Sequence, residues 1–256
     1  MSGLLEGHLA AVTGGASGIG RAIAKGFADQ GAAVFILDAN AEAAAAVCKE
    51  IGDAGHKAYS MGLDVRNRSQ CNSAAQEVAE TAGKISILVN CAGINRRNAF
   101  TADREAVAQD WDDVIGVNLH GMFNVTHAFL DQLRANKGRV INIGSIQSFL
   151  HVRWPNSPAY TTSKHGVLGF TRAIAAELGK DGVRVNAIGP GLIETPLNAE
   201  ARAKNPAVVD NFLEHTPLGR TGQPADIVGP ALFLASDLSA YVTGDIVMAD
   251  GGYRTI

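Results

Sequence analysis

Apolar residues along this chain come in short unbroken runs that stop at glycine, asparagine, aspartate or serine. Between them lie stretches whose apolar positions recur at helical spacing. Leu9-Ala-Ala-Val-Thr13, Ala33–Asp38, Lys57–Val65, Ile85–Val89, Arg139–Ile146, Arg184–Ile188 and Asp245–Asp250 read as strands. Continuous apolar character marks a parallel strand covered on both faces. Helical spacing follows the first run, with Ile23, Phe27 and Ala28 on one side, and continues over residues 41–54, 69–83, 109–136, from Pro158 onward and 223–235. Strands alternating with helices predict an α/β fold, a Rossmann-type doubly wound seven-stranded parallel sheet flanked by helices, as a single domain over residues 1–256. The segment 192–220, partly helical and bounded by prolines, is the expected substrate lid.

The first strand runs directly into a glycine turn and then a helix. Gly14, Ser17, Gly18, Ile19 and Gly20 occupy this junction, where backbone N–H groups and the positive end of a helix dipole suit a pyrophosphate. The second strand ends on Asp38, 18 positions after Gly20, close to the spacing of a ribose-binding carboxylate. Its charge opposes the extra phosphate of NADP, and no Arg or Lys lies between Gly14 and Gly20 to offset it. The expected cofactor is NAD. The alternative role for Asp38 is capping of the helix that begins near Asn40. A further glycine turn, Asn90-Cys-Ala-Gly93, closes the fourth strand, so Asn90, Ala92 and Gly93 are candidates for the same crevice.

Composition narrows the partners. Hydrophobic residues make up 46% and charged residues 18%, with 29 glycines, as expected of a packed α/β protein rich in tight turns. The formal net charge is −3 and basic residues form no run, which argues against nucleic acid and for a small-molecule substrate. Cys48, Cys71 and Cys91 have no metal-ligand spacing, so no metal site is expected and the thiols read as reduced and buried. Neither a secretory signal nor an apolar run of about 18 residues is present, so the expected location is cytoplasmic, away from membranes.

The candidate chemistry sits between Ser145 and Lys164. If the segment after Pro158 is helical, Tyr160 and Lys164 stand at i and i+4 on one face, with an ammonium near a phenol. A free tyrosine titrates near ~10, and a neighbouring positive charge favours the phenolate that a base requires. No G-x-S-x-G elbow or H-E-x-x-H motif offers hydrolase chemistry instead.

Taken in order, Thr13-Gly-Gly-Ala-Ser-Gly-Ile-Gly20, Asn90-Cys-Ala-Gly93, Asn118, Ser145, Tyr160-Thr-Thr-Ser-Lys164, Pro190-Gly191 and Asp250-Gly-Gly252 resemble the short-chain dehydrogenase/reductase family over essentially the whole chain. The resemblance implies an NAD-dependent oxidoreductase acting on CH–OH groups. In it, Tyr160 is the general acid/base, Ser145 positions the substrate oxygen, Lys164 lowers the tyrosine pKa and contacts the nicotinamide ribose, and Asn118 holds a relay water. It further implies that Asp64 and Val65 flank the adenine, that Ile193 and Thr195 meet the carboxamide beside Pro190 and Gly191, and that the protein is a homotetramer. The helix 108–136, the Tyr160 helix and the C-terminal strand would build that assembly.

Ala92-Gly-Ile-Asn-Arg-Arg97 and Ile141-Asn-Ile-Gly-Ser-Ile-Gln-Ser148 are similar to the branch containing gluconate 5-dehydrogenase and 2-deoxy-D-gluconate 3-dehydrogenase. This suggests a secondary alcohol of a sugar acid or related polyhydroxy substrate, with Gln147 beside it and its anionic group held by Arg96 or Arg97, assisted by Arg153. A neutral polyol or a cyclic or aryl alcohol is the alternative, kept open by Phe149 and Trp154. Two departures from the family pattern bear on this. Cys91 stands where many relatives carry a second Asn, and Ser145 and Tyr160 are 15 residues apart, about two more than usual, which points to an enlarged loop over 147–157.

Overall fold

In the computed structural model, which describes residues 3–152, 157–204 and 206–255, the apolar runs form one sheet of parallel strands. They are β1 (Leu9–Thr13), β2 (Ala33–Asp38), β3 (Ala58–Gly62), β4 (Ile87–Asn90), β5 (Arg139–Ile143), β6 (Arg184–Pro190) and β7 (Ile246–Ala249), in the spatial order β3-β2-β1-β4-β5-β6-β7. The connecting helices are α1 (Gly18–Asp29), α2 (Ala41–Asp53), α3 (Arg68–Ala82), α4 (Arg104–Ile115), α5 (Met122–Ala128), α6 (Leu130–Ala135), α7 (Pro158–Leu178), α8 (Pro196–Lys204), α9 (Pro206–Glu214) and α10 (Val228–Ala235).

Each strand feeds two cores, which is why its sequence is apolar throughout rather than alternating. Ala10 and Val12 of β1 pack with Ile23 and Phe27 of α1 and Leu234 of α10, whereas Leu9 and Ala11 join the opposite face with Cys71 and Val78 of α3. The chain leaves β1 toward β2 on one side and returns to β4 on the other. This switch point opens a crevice at the carboxyl ends of the strands, where register aligns Thr13 with Asn90 and Asn90 with Asn142.

Several boundaries differ from expectation. β5 stops at Ile143, so Ser145 lies beyond the strand in a short 3₁₀ turn over Ile146–Ser148. β6 continues to Pro190, which pairs with Ala249 as the last rung, the place where a missing N–H is best tolerated. The single helix expected over 109–136 begins earlier, at Arg104 under an Asp103 cap, and is interrupted by a π turn at Gly116–Gly121 and a break at Phe129. The expected helix over 223–235 opens as a 3₁₀ turn, Pro224–Ile227. Cys71 is buried while Cys48 and Cys91 are only partly so, and all three are free. No helix among the described residues is long and apolar enough to cross a membrane.

Candidate active site

The crevice forms a cavity of about 330 Å³ whose walls come from the turns after β1, β4, β5 and β6 and from the start of α7. Of the residues expected at the cofactor, Gly14, Ser17, Gly18, Ile19, Gly20, Asp38, Val65, Ala92, Gly93, Tyr160, Lys164, Pro190, Gly191, Ile193 and Thr195 all line it. Asn90 and Asp64 do not. Asn90 is buried beneath the floor, where its Nδ2 donates to Asn142 Oδ1 (2.8 Å) and Thr126 Oγ1 (2.9 Å) and ties β4 to its neighbours. The Asp64 carboxylate is committed to Arg66, 2.7 Å from Nη2, and that guanidinium holds its pKa below the ordinary carboxylate value.

Glycines at the first turn answer to the chain itself as well as to a ligand. Gly14 has φ +63°, and a Cβ there would stand 2.9 Å from the Ala92 backbone; one at Gly20 would stand 2.2 Å from the Gly14 carbonyl oxygen. The turns after β1 and β4 can approach this closely only without side chains. Thr13 Oγ1 seals the junction by accepting from Cys91 N (3.1 Å) and Ala92 N (3.2 Å). Ser17, the N-cap of α1, makes no capping bond with its side chain, and the first turn of α1 carries no acidic residue. The helix terminus therefore suits a phosphate group.

Asp38 ends β2 inside this cavity. Its Oδ2 accepts from Ala16 N (3.1 Å) and its Oδ1 from Asn40 N (3.0 Å), while the cap of α2 is Asn40 itself, whose Oδ1 accepts from Ala43 N. Capping is thus not the role of Asp38. On α1, Arg21 and Lys25 both pair with Glu50 of α2.

The catalytic candidates converge at the other end. Ser145 Oγ accepts from Gln147 N (3.1 Å), which leaves its own proton available to the Tyr160 oxygen. Tyr160 and Lys164 lie in the first two turns of α7, which Pro158 initiates. Lys164 Nζ sits 5.4 Å from the Tyr160 ring centroid and donates to the Ile143 carbonyl (2.7 Å). Burial pushes this ammonium down to about 8. Burial also raises the Tyr160 phenol above its ordinary value, opposed first by a hydrogen bond from Ser145 and then by the positive charge of Arg97. Arg97 thus joins Lys164 as a cation placed near the phenol.

Asn118 lies in the π turn, a feature that often marks functional sites. Its Oδ1 accepts from Ile94 N (2.9 Å), and its Nδ2 donates to Ile94 O (3.0 Å) and Ser163 Oγ (3.0 Å). Both Nδ2 hydrogens are thus spent and one Oδ1 lone pair is left, and the side chain clamps the β4 turn to α7.

A second cavity of about 90 Å³ adjoins Ser145 and Tyr160, lined by Asn95, Arg97, Gln147, Val152, Leu192, Leu197, Asn198, Arg202 and Phe212 among others. The segment 192–220 contains α8 and α9, which supply Leu197, Asn198, Arg202 and Phe212 to this wall. The two adjacent arginines part company. Arg97 enters this cavity and its Nε is buried without a hydrogen-bond partner among the described residues. Arg96 is exposed, stands 3.5 Å from Asp113 Oδ2 and faces a different hollow. Arg153 and Trp154 lie outside the described residues. Thr13, Asn95, Asn198 and Arg202 were not singled out from the sequence, although Asn198 and Arg202 stand at i and i+4, with Arg202 Nε donating to Asn198 Oδ1 (2.9 Å). Among the described residues, no group of three or more His, Cys, Asp or Glu could hold a metal ion.

A family model described as enoyl-(acyl carrier protein) reductase matches residues 14–254. Over 249 residues the chain is 39% identical to the (2S)-[(R)-hydroxy(phenyl)methyl]succinyl-CoA dehydrogenase subunit BbsD of Thauera aromatica, covering 97% of each. It is 40% identical to the galactitol 2-dehydrogenase (L-tagatose-forming) of Cereibacter sphaeroides, covering 97% of this chain and 96% of that one. Among solved structures, a gluconate 5-dehydrogenase from Burkholderia cenocepacia, in complex with NADP and tartrate, superposes with a TM-score of 0.92 at 37% identity, covering 98% of this chain and 97% of that one.

Proposed function

This chain belongs to the short-chain dehydrogenase/reductase family, and from that premise we propose that it is an NAD-dependent oxidoreductase interconverting a secondary alcohol and a ketone on a sugar acid or related polyhydroxy carboxylate. The observation that carries the substrate class is Arg97, which lines the cavity beside Tyr160 and Ser145 and whose buried Nε has no hydrogen-bond partner among the described residues. A guanidinium so placed matches a carboxylate, and an anion would relieve the cost of leaving its donor unmade.

The residues present fit a dinucleotide. The uncapped start of α1 at Gly14–Gly20 would hold the pyrophosphate, Asp38 the adenosine ribose, Val65 the adenine, and Ile193 and Thr195 the carboxamide. Lys164 would meet the nicotinamide ribose. When bound, the nicotinamide accepts or returns the hydride of the carbinol carbon. Tyr160 takes the hydroxyl proton during oxidation and gives it back during reduction, and Ser145 donates to the substrate oxygen. A relay water at Asn118 would have to donate to the remaining Oδ1 lone pair or to the main chain, because both Nδ2 hydrogens are already used. NAD is preferred to NADP because the Asp38 carboxylate opposes the extra phosphate and its hydrogen bonds go to the backbone at Ala16 and Asn40; NADP is bound by the Burkholderia enzyme.

The same reading extends to assembly. Copies would meet as a homotetramer through α4, α5 and α7, where Trp111 and Phe123 are exposed, and through the C-terminal strand.

Tyr160→Phe is expected to lower turnover by about 10²–10⁴-fold while NADH binding, followed by its fluorescence, persists. The wild type, assayed with sugar acids, polyols and cyclic alcohols and with each cofactor, should favour sugar acids and NAD. Activity confined to NADP would overturn the argument from Asp38. A second reading, a neutral polyol or a cyclic or aryl alcohol, draws on the apolar wall of Val152, Leu192, Leu197 and Phe212, and preference for those substrates would select it.

A further inference from the structure

The residue after the tyrosine, Thr161, turns its hydroxyl toward the substrate side. Thr161 Oγ1 lies 2.5 Å from Gln147 Oε1, and the exposed His151 stands 3.4 Å from the same hydroxyl on its outer side. Two oxygens this close share a proton, and 2.5 Å falls in the range of O–H···O bonds, short of that for N–H···O. A carbonyl cannot donate, so the threonine does. The contact links the first turn of α7 to the 3₁₀ turn that carries Gln147.

The consequence falls on the amide. A free glutamine side chain can show a ligand either its carbonyl or its NH₂ group. Here Thr161 engages Oε1, which leaves the NH₂ group as the end of the amide not held by Thr161, on a side chain that lines the cavity with Arg97, Ser145 and Tyr160. Arg97 donates and cannot accept. Beside the phenol, Gln147 and Arg97 together present hydrogen-bond donors, and a carboxylate, which only accepts, satisfies both at once. A neutral hydroxyl can also accept from them, but it carries no charge to offset the guanidinium and keeps its own proton in need of an acceptor.

We propose that Thr161 is a positioning residue that locks Gln147 as a donor to the substrate carboxylate and so sets the preference for acidic over neutral alcohols. The proposal rests on the reading of the site as one for polyhydroxy carboxylates.

The test uses the full chain with D-gluconate and sorbitol as probes. Thr161→Val keeps the shape and removes the hydroxyl; Thr161→Ser keeps the hydroxyl. Turnover with NAD is read as separate kcat and KM, and D-gluconate is titrated calorimetrically into NADH-saturated protein. Thr161→Val should lower the gluconate-over-sorbitol ratio of kcat/KM by about 5- to 20-fold, through KM, with a matching rise in gluconate Kd. Thr161→Ser should restore both. Gln147→Glu, which reverses the polarity of the group itself, should lose the preference at least as far, and Thr161→Val should add nothing in that background. The proposal is overturned alone if wild type binds gluconate and Thr161→Val binds it equally well, if the loss is equal for gluconate and sorbitol, or if serine behaves like valine. A wild type that oxidises sorbitol and neither binds nor oxidises gluconate overturns the carboxylate reading itself, and the proposal with it.

Discussion

Arg97 is the residue in which charge, burial and position meet. The family motif supplies Ser145, Tyr160 and Lys164, but nothing in Arg96-Arg97 says which of the pair turns inward. That choice depends on Asp113, 3.5 Å from Arg96, an ion-pair partner contributed by α4. The sequence therefore narrowed the anion site to two residues, and packing selected one. Arg97→Met should raise KM for D-gluconate by about 10- to 100-fold. It should also move the pH profile. Burial holds the Tyr160 pKa up and the Arg97 charge pulls it down, so removing that charge raises it further. Oxidation needs the phenolate, which forms as pH rises through this pKa. The ascending limb of kcat/KM for alcohol oxidation should accordingly shift to higher pH in the variant, and a profile that stays in place would show that Arg97 does not act on the phenol.

At the scale of elements, legibility followed how local the cause was. The strands were readable because a doubly covered strand must be apolar at successive positions, and their carboxyl ends were readable from the residues that stop the runs. The π turn at Gly116–Gly121 was not, since the apolar spacing passes through it and its key contacts, from Asn118 to Ile94 and Ser163, are distant in sequence. The glycine turn was legible for an incomplete reason, as the spacing spoke of a ligand whereas the fold adds close backbone contacts of Gly14 with Ala92 and of Gly20 with Gly14. Gly20→Ala should thus lose stability even without cofactor. A Cβ facing the Gly14 carbonyl at 2.2 Å must displace backbone, at about 1–3 kcal/mol. Gly52 near the end of α2 has open space around it, and its replacement by alanine should be neutral or stabilising by up to ~1 kcal/mol. Urea midpoints of the two variants, taken without NAD, separate these causes.

For the whole molecule, the fold class and strand count were legible in full, while the state of assembly rests on surface chemistry. Trp111 remains 44% exposed and Phe123 40% exposed, with Phe123 stacked on His127 and edge-on to Phe170. Large aromatics left at the surface of neighbouring helices are the kind of residue that an interface uses. Trp111→Glu should convert a tetramer into smaller species at micromolar concentration, as read by light scattering, without loss of helical circular dichroism. An unchanged mass would remove α4 from the interface.

The position of β1 between β2 and β4 bears on how the chain comes to exist. β2 follows β1 by one helix, so half of the pairing of β1 is available almost as soon as it is synthesised. The other half waits for Ile87–Asn90, and until then an inner strand of the finished sheet is an open edge of apolar residues. Growing chains shorter than about this length therefore present the surface most prone to capture by another strand. The same Thr13–Cys91 contact that later closes the crevice also marks the moment when that exposure ends.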